Sequence, residues 1–270
     1  MSRVIALIGN RPDVCSMVVQ QYASLMRVEA QGEPRGWGVG VYQNGEALLR
    51  RRPMDDRPVI EIGALSAATS DLLLAQIRTP TVGNLRTENT PPFRYRDWLF
   101  AQRGTIESFD RIRPRLLAAQ PDFLRRNVRG DTDGEVMFYL FLSYLHEGVG
   151  LDHDRIGAGD IRRALRGALA ELDRQLSLEN TPEAKIDLFV TDGEHLVCLH
   201  RSGTMMSRTL STTDELENFL PESGNAASYA PFQCSVIAAG LPELPPQWRA
   251  VKPGTLTTLT RTGAPTIEAL

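Results

Sequence analysis

The chain has 270 residues, 42% of them hydrophobic and 23% charged, which excludes a disordered or fibrous protein and predicts a buried core. With 30 basic and 33 acidic residues the net charge is -3, so the sequence as a whole does not favour nucleic acid or anionic membrane surfaces. Three cysteines without metal-ligand spacing, and no apolar run of about 18 residues, argue against a disulfide framework, a zinc site and a transmembrane helix, and favour a soluble protein of the reducing cytoplasm.

The first part of the chain predicts strands. Strands are predicted at residues 4–8, 38–42, 46–52, 72–78 and 98–102, the first of which is an apolar, partly β-branched run. Asn44-Gly45 is a two-residue hairpin signal between the second and third of these strands. Residues 79–93 contain three prolines and a glycine, which predicts a loop.

The period then becomes helical and later returns to that of strands. A capped helix with acidic residues in its first turn is predicted from Asp131, and a second helix carries leucines on one face over residues 161–176. Strands are predicted again at residues 186–190, 196–199, 234–239 and 256–259. This order predicts an α+β protein with mostly antiparallel sheets, and the lack of a linker predicts one domain over residues 1–270.

Several short motifs follow one another along the chain. They are Ser2 directly before a strand, Gly36–Gly40, Ala75–Arg78, Glu88–Phe93, Ala101–Gly104 and Gly130–Glu135. Their order and spacing resemble the class II glutamine amidotransferases, in particular the single-domain bacterial branch that includes the γ-glutamyl hydrolase of ergothioneine synthesis. Residues 190–194 and 248–251 are also similar to that branch, so the resemblance covers nearly the whole chain.

The resemblance implies a four-layer αββα sandwich of the N-terminal nucleophile hydrolase type. In such proteins Met1 is removed, residue 2 is the nucleophile, and its freed α-amine is the general base. An α-amine has a reference pKa near 7.7–8.0, which suits this role at neutral pH. The resemblance implies neither a cofactor nor a metal.

Two positions depart from the family pattern. Ser2 stands where the family has the nucleophilic cysteine, and neither Cys15, which follows a predicted loop, nor Cys198 replaces it. Arg103, before Gly104, stands where the family has the asparagine of the oxyanion hole. Loss of one such donor typically costs a factor of about 10² to 10³ in rate. The Arg103 side chain is expected to fill the pocket or to point elsewhere, because a guanidinium is longer than an amide.

Two other positions keep the family pattern. By resemblance, Arg78 matches the arginine that binds the substrate α-carboxylate, and Asp133 matches the acidic residue that binds its α-ammonium. We therefore expect Ser2, Arg78, Gly104 and Asp133 to converge on one pocket that binds glutamine, glutamate or a γ-glutamyl compound. The plainer alternatives are a surface ion pair for Arg78, a helix cap at the start of the Asp133 helix and an ordinary terminal residue for Ser2.

Three functional hypotheses remain open at this point. The first is a catalytically degenerate protein that acts as a structural, regulatory or γ-glutamyl-ligand-sensing subunit, with a partner protein. The second is an active amidohydrolase, γ-glutamyl hydrolase or glutaminase that uses Ser2. The third is an interaction module without a ligand. Pairing of Arg103 with Asp133 across the pocket would favour a scaffold over a sensor.

Overall fold

Two antiparallel sheets form the centre of the molecule. The computed structural model describes residues 2–62, 69–151, 156–220 and 225–270. Among these, the first sheet has the spatial order β13 (Arg249–Ala250), β11 (Met205–Leu210), β12 (Cys234–Ala239), β1 (Arg3–Gly9), β6 (Leu72–Arg78), β3 (Arg35–Gln43), β4 (Glu46–Asp55). The second has the order β15 (Thr266–Ala269), β14 (Thr255–Thr260), β10 (His195–His200), β9 (Lys185–Thr191), β8 (Trp98–Thr105), β7 (Phe93–Tyr95). A short pair joins β2 (Val28–Glu29) to β5 (Val59–Ile60).

Helices cover the outer faces of both sheets. They are α1 (Pro12–Tyr22), α2 (Phe109–Ala118), α3 (Asp122–Arg125), α4 (Asp133–Val149), α5 (Ala158–Leu178) and α6 (Thr213–Glu217). Helices α1 and α6 pack on the first sheet, and α2, α4 and α5 pack on the second. No helix in the described ranges is long and apolar enough to cross a membrane.

The layers follow from the alternation of side chains along the strands. In β1, Val4, Ala6 and Ile8 face the second sheet, whereas Ile5 and Leu7 face α1. Strand β8 behaves in the same way, with Phe100 against the helices and Ala101 between the sheets. The central strands β1 and β6 are therefore buried on both faces, which explains their continuous apolar runs in the sequence, whereas the edge strand β4 is largely exposed.

Most of the predicted elements are present. The Asn44-Gly45 hairpin joins β3 to β4, with positive φ at both residues, as a two-residue hairpin turn requires. Thr132 caps α4 by accepting a hydrogen bond from the Glu135 N–H. Helix α1 was not predicted, and Cys15, expected to follow a loop, lies buried in it.

Candidate active site

A small cavity lies where the ends of several elements meet. Arg3 pairs with Ile77, so Ser2 lies beside the end of β6, and the end of β8 and the start of α4 complete the wall. The lining residues are Ser2, Gln76, Arg78, Thr79, Thr81, Val82, Asn89, Pro91, Phe93, Gln102, Gly104, Thr132, Asp133 and Gly134. The expected convergence of Ser2, Arg78, Gly104 and Asp133 is therefore observed. With a volume of about 30 Å³, this Ser2 cavity has room for about one or two water molecules.

Ser2 lies at the wall of the Ser2 cavity and is half-buried. Its Oγ accepts a hydrogen bond from the backbone N–H of Thr79, at 3.0 Å. This contact fixes the hydroxyl oxygen beside β6 and leaves its proton free to be donated. Ser2 is thus an ordered part of the cavity rather than a loose terminal residue. Met1 lies outside the described residues.

Arg78 is buried at the end of β6, so it does not form the surface ion pair of the plainer interpretation. Its guanidinium donates to the backbone carbonyls of Val82, Gly83 (2.9 Å) and Asn84 (3.1 Å). Burial lowers the pKa of Arg78, and the negative charge of Asp133 opposes that effect. Arg78 therefore holds the loop of residues 82–84 at the cavity wall, and its positive charge interacts with the carboxylate of Asp133.

Asp133 opens helix α4 and is buried. One carboxylate oxygen accepts from the N–H of Ile106 (2.9 Å) and the side-chain amide of Gln102 (3.0 Å), and the other accepts from the N–H of Gly134 (3.0 Å). Burial raises the pKa of Asp133, while these N–H donors and the Arg78 charge act in the opposite direction. The carboxylate is held in place by the protein itself, including the first turn of α4, next to the cap residue Thr132.

Three polar oxygen atoms of the cavity wall have no hydrogen-bond partner among the described residues. They are Oε1 of Gln76, Oε1 of Gln102 and Oγ1 of Thr79. Two of them belong to amides whose nitrogens are already used, since Gln76 donates to the Gln102 carbonyl at 2.8 Å and Gln102 donates to Asp133. Buried polar atoms without partners are rare in proteins and indicate a site that receives hydrogen bonds from a bound molecule or water.

Arg103 is not part of the cavity wall. Because side chains alternate along β8, Gln102 and Gly104 line the cavity while Arg103 points to the opposite side. There its guanidinium donates to the carboxylate of Asp187, at 3.0 Å. A Cβ at Gly240 would lie 2.3 Å from the Ser2 carbonyl oxygen and 2.6 Å from Nε of Arg103. The Arg103 side chain and the Ser2 backbone therefore both pack against Gly240. The possible pairing of Arg103 with Asp133 is not observed.

The Asp187 carboxylate organises a buried network that sequence reasoning missed. Besides Arg103, it accepts from Nδ1 of His200 (2.7 Å) and from the N–H groups of Arg201 (3.2 Å) and Ser202 (3.3 Å). Asp187 is fully buried and His200 is 1% exposed. The sequence signal for this network was Asp187 itself. An aspartate within an otherwise apolar strand is expected to be buried, and a buried carboxylate requires a partner.

Gly104 allows β8 to approach β9 closely. Its φ is +97°, and a Cβ at this position would lie 2.2 Å from the carbonyl oxygen of Lys185. Any other residue would strain the backbone and clash with it. The glycine is therefore required for the close approach of β8 and β9 at the cavity wall.

Comparison with known families identifies this arrangement. The sequence model of the family described as glutamine amidotransferases class-II matches residues 1–269. The chain belongs to the class-II glutamine amidotransferases. A curated relative of this class-II chain is the probable glutamine amidotransferase DUG3 of Saccharomyces cerevisiae, with 28% identity over 200 residues, or 67% of this chain and 56% of DUG3. The chain thus spans about half the length of that relative.

Solved structures show the same fold. A glutamine aminotransferase class-II domain protein from Silicibacter pomeroyi has 20% identity and a TM-score of 0.61 over 99% of this chain and 97% of that one. A predicted glutamine amidotransferase from Pseudomonas aeruginosa has 16% identity and a TM-score of 0.58, covering 96% and 97% of the two chains. Glutamine phosphoribosylpyrophosphate amidotransferase from B. subtilis matches 99% of this chain with 49% of its own, at 13% identity and a TM-score of 0.58. The predicted α+β sandwich of the N-terminal nucleophile type is confirmed.

Proposed function

We propose that this class-II amidotransferase is catalytically degenerate and acts as a ligand-sensing or regulatory subunit beside a partner protein. In this proposal residues 1–270 form a single domain. The observation that carries it is the position of Arg103, which pairs with Asp187 on the far side of β8 while Arg78 and Asp133 line the Ser2 cavity. The binding groups face the cavity, and the residue at the family's oxyanion position does not.

Loss of the oxyanion donor weakens catalysis in addition to the exchange of cysteine for Ser2. A tetrahedral intermediate needs donors aimed at its oxyanion, and each is worth a factor of about 10² to 10³ in rate. Arg103 is held by the Asp187 carboxylate, so it does not supply that donor. A serine hydroxyl is also ionised far less than a thiol at neutral pH and depends more on the missing donor.

The cavity chemistry suits the ammonium end of an amino acid. Asp133 supplies a negative charge, and the oxygens of Gln76, Gln102 and Thr79 supply acceptors that have no other partner in the described residues. Arg78 supplies a guanidinium for the α-carboxylate. Because the cavity holds about 30 Å³, it has to widen before glutamine or glutamate fits into it.

Titration calorimetry with glutamine, glutamate and a γ-glutamyl dipeptide tests the sensing function. We expect binding of at least one of them, a rise of the melting temperature by mass action, and loss of both in Asp133→Asn. Arg50→Ala is the matched control, because this exposed arginine lies outside the cavity. Absence of heat and of a thermal shift with all three compounds contradicts sensing and leaves partner binding as the function.

The second candidate function is an amidohydrolase that uses Ser2. It is favoured by the ordered Ser2 hydroxyl in the same cavity as Arg78 and Asp133. This mechanism requires a free α-amine at Ser2, and therefore removal of Met1. The intact mass of the purified protein shows whether that amine exists, and a retained Met1 eliminates this candidate.

A further inference from the structure

A second and much larger cavity lies beside the Ser2 cavity. It has a volume of about 740 Å³ and is separated from the Ser2 cavity by Phe93, which lines both. Its walls come from β4 and β7, the strands at one edge of each sheet, together with the start of α4 and the loop before it. This volume is within the range of about 300–1,000 Å³ that is typical of small-molecule sites. We call it the edge cleft.

Four arginines line the edge cleft: Arg51, Arg94, Arg96 and Arg129. Among the described residues, none of them has a carboxylate oxygen within 4.0 Å. Most of the described arginines outside the cleft do, as Arg174 does with Glu171 at 2.7 Å, although Arg50 does not. Like charges that converge without carboxylates in contact with them repel one another, so this arrangement favours an anion between them.

The two carboxylates of the cleft do not cancel this charge. Glu135 accepts from the backbone N–H groups of Arg129 (3.0 Å) and Gly130 (2.6 Å), so it fixes the loop that carries Arg129. Burial lowers the pKa of Arg51, and the charge of Glu88 acts in the opposite direction without forming an ion pair with it. Two positive charges therefore remain in excess, on a chain whose net charge is -3.

Three of the arginines are held in place by the protein. The half-buried Arg51 donates to the carbonyls of Thr87 (3.1 Å) and Thr90 (3.3 Å). The Nε of Arg94 donates to the backbone carbonyl of Arg96 at 2.8 Å. Arg96 itself lies in the turn after β7 with φ of +51°, and its guanidinium lies 5.6 Å from the ring centre of Tyr95. Guanidinium groups fixed before binding lose less entropy when an anion binds.

Aromatic rings form part of the same wall. Tyr95 and Tyr139 pack edge to face with their ring centres 6.0 Å apart, and both line the cleft. Such rings provide flat apolar surface between the guanidinium groups. The cleft thus combines four positively charged side chains with an aromatic surface on which a planar group can pack.

We propose that the edge cleft binds a small molecule with two or more negative charges, such as a phosphate chain or a polycarboxylate. The site is separate from the Ser2 cavity and does not depend on the function proposed for it. A nucleotide, an inorganic polyphosphate and a tricarboxylate share this chemistry and differ in whether a planar base contributes.

Titration calorimetry of the full chain with tripolyphosphate, ATP and citrate tests the proposal. We expect at least one of them to bind, and the affinity to fall as salt rises. Tighter binding of ATP than of tripolyphosphate identifies a nucleotide site, equal binding identifies a phosphate-chain site, and binding of citrate alone identifies a carboxylate site. Each of these results supports the proposal.

Matched variants locate the binding. Arg129→Ala removes a side chain with no hydrogen bond or ion pair in the described residues, so the fold is retained, and we expect about a tenfold loss of affinity. Arg51→Ala is expected to give a similar loss. Arg50→Ala, on the same strand but outside the cleft, is expected to bind normally. Absence of heat with all three anions at millimolar concentration, or equal affinity in wild type and Arg129→Ala, overturns the proposal.

Discussion

The two neighbouring cavities satisfy their charged groups in opposite ways. In the Ser2 cavity, Arg78 and Asp133 are bound by backbone and amide groups of the protein, and about 30 Å³ of space is left. In the edge cleft, four arginines surround about 740 Å³ without a carboxylate partner in the described part of the chain. Residues of the family motifs line the first cavity, but the second has far more space for a ligand.

The largest effect is expected at the buried carboxylate of Asp187, the partner of Arg103 and His200. Asp187→Ala leaves the guanidinium of Arg103 and the ring of His200 buried without their acceptor. We expect a loss of about 4 kcal/mol in the free energy of unfolding, measured with urea, because breaking a buried ion pair leaves an uncompensated charge. Asp173→Ala removes a partner of Arg201 that is more exposed than Asp187 and should cost about 1 kcal/mol or less. Equal losses in the two variants would show that the Arg103–Asp187 pair is not a buried network.

A slightly smaller effect is expected at the cavity wall. Gly104→Ala places a Cβ against the Lys185 carbonyl at positive φ, so we expect a loss of about 3 kcal/mol in urea unfolding. Gly254→Ala is the control, because Gly254 has φ of +76° with no atom within 4 Å of its Cβ position. That variant reports the cost of the backbone conformation alone, about 1 kcal/mol. A Gly104→Ala protein as stable as Gly254→Ala would disprove the close approach of β8 and β9.

The sequence allows much of this geometry to be predicted, for physical reasons. Pairing of the antiparallel strands β1 and β6 places Ser2 beside the end of β6. The end of β8 lies in the second sheet and reaches the same place because the two sheets pack face to face. The orientation of Arg103 away from the cavity also follows from the two-residue period, since Gln102 and Gly104 face inward. Helix α1 was overlooked although Val14, Val18 and Tyr22 recur every four residues.

The edge cleft could not be predicted in this way. Arg51, Arg94 and Arg129 come from three separate segments, and each alone has the appearance of a solvated surface arginine. Their convergence depends on which strands occupy the sheet edges and on how the loop before α4 is held by Glu135. The same applies to the Arg103–Asp187–His200 network, whose members lie on β8, β9 and β10.

Buried carboxylates near the two cavities should respond to pH with opposite signs. Hydrogen bonds from Arg57, more than from Trp37, lower the pKa of Asp55 from 3.8 to about 2, and Asp55 ends β4, which carries Arg51. Its contribution to stability, about 2 kcal/mol, is present above pH 4 and is lost as the pH falls through about 2. Burial raises the pKa of Asp133, so its contribution is present at low pH and is lost as the pH rises through its folded-state pKa.

Acid unfolding followed by circular dichroism measures the Asp55 contribution. Between pH 5 and pH 2, Asp55→Asn should lose about 2 kcal/mol less than wild type, whereas the exposed neighbour Asp56→Asn should follow wild type. A wild-type slope in Asp55→Asn would mean that Asp55 does not hold the edge strand through its charge.

The smallest expected effect concerns the turn at the edge cleft. Arg96→Asn replaces an arginine at positive φ with a residue that tolerates this conformation, so the free energy of unfolding should change by less than about 1 kcal/mol. Affinity for the best anion of the calorimetric series should nevertheless fall several-fold, because one guanidinium leaves the cleft. Unchanged affinity would remove Arg96 from the anion site.

Ammonia release from glutamine, measured side by side for wild type and Ser2→Ala, tests the central claim most directly. Both samples are first characterised by intact mass to establish the state of Met1. With Arg103 held by Asp187, we predict no release that depends on Ser2, even in protein that has lost Met1. Turnover at an ordinary enzymatic rate, about 1 to 10³ per second, that disappears in Ser2→Ala would contradict the account and establish Ser2 as a working nucleophile.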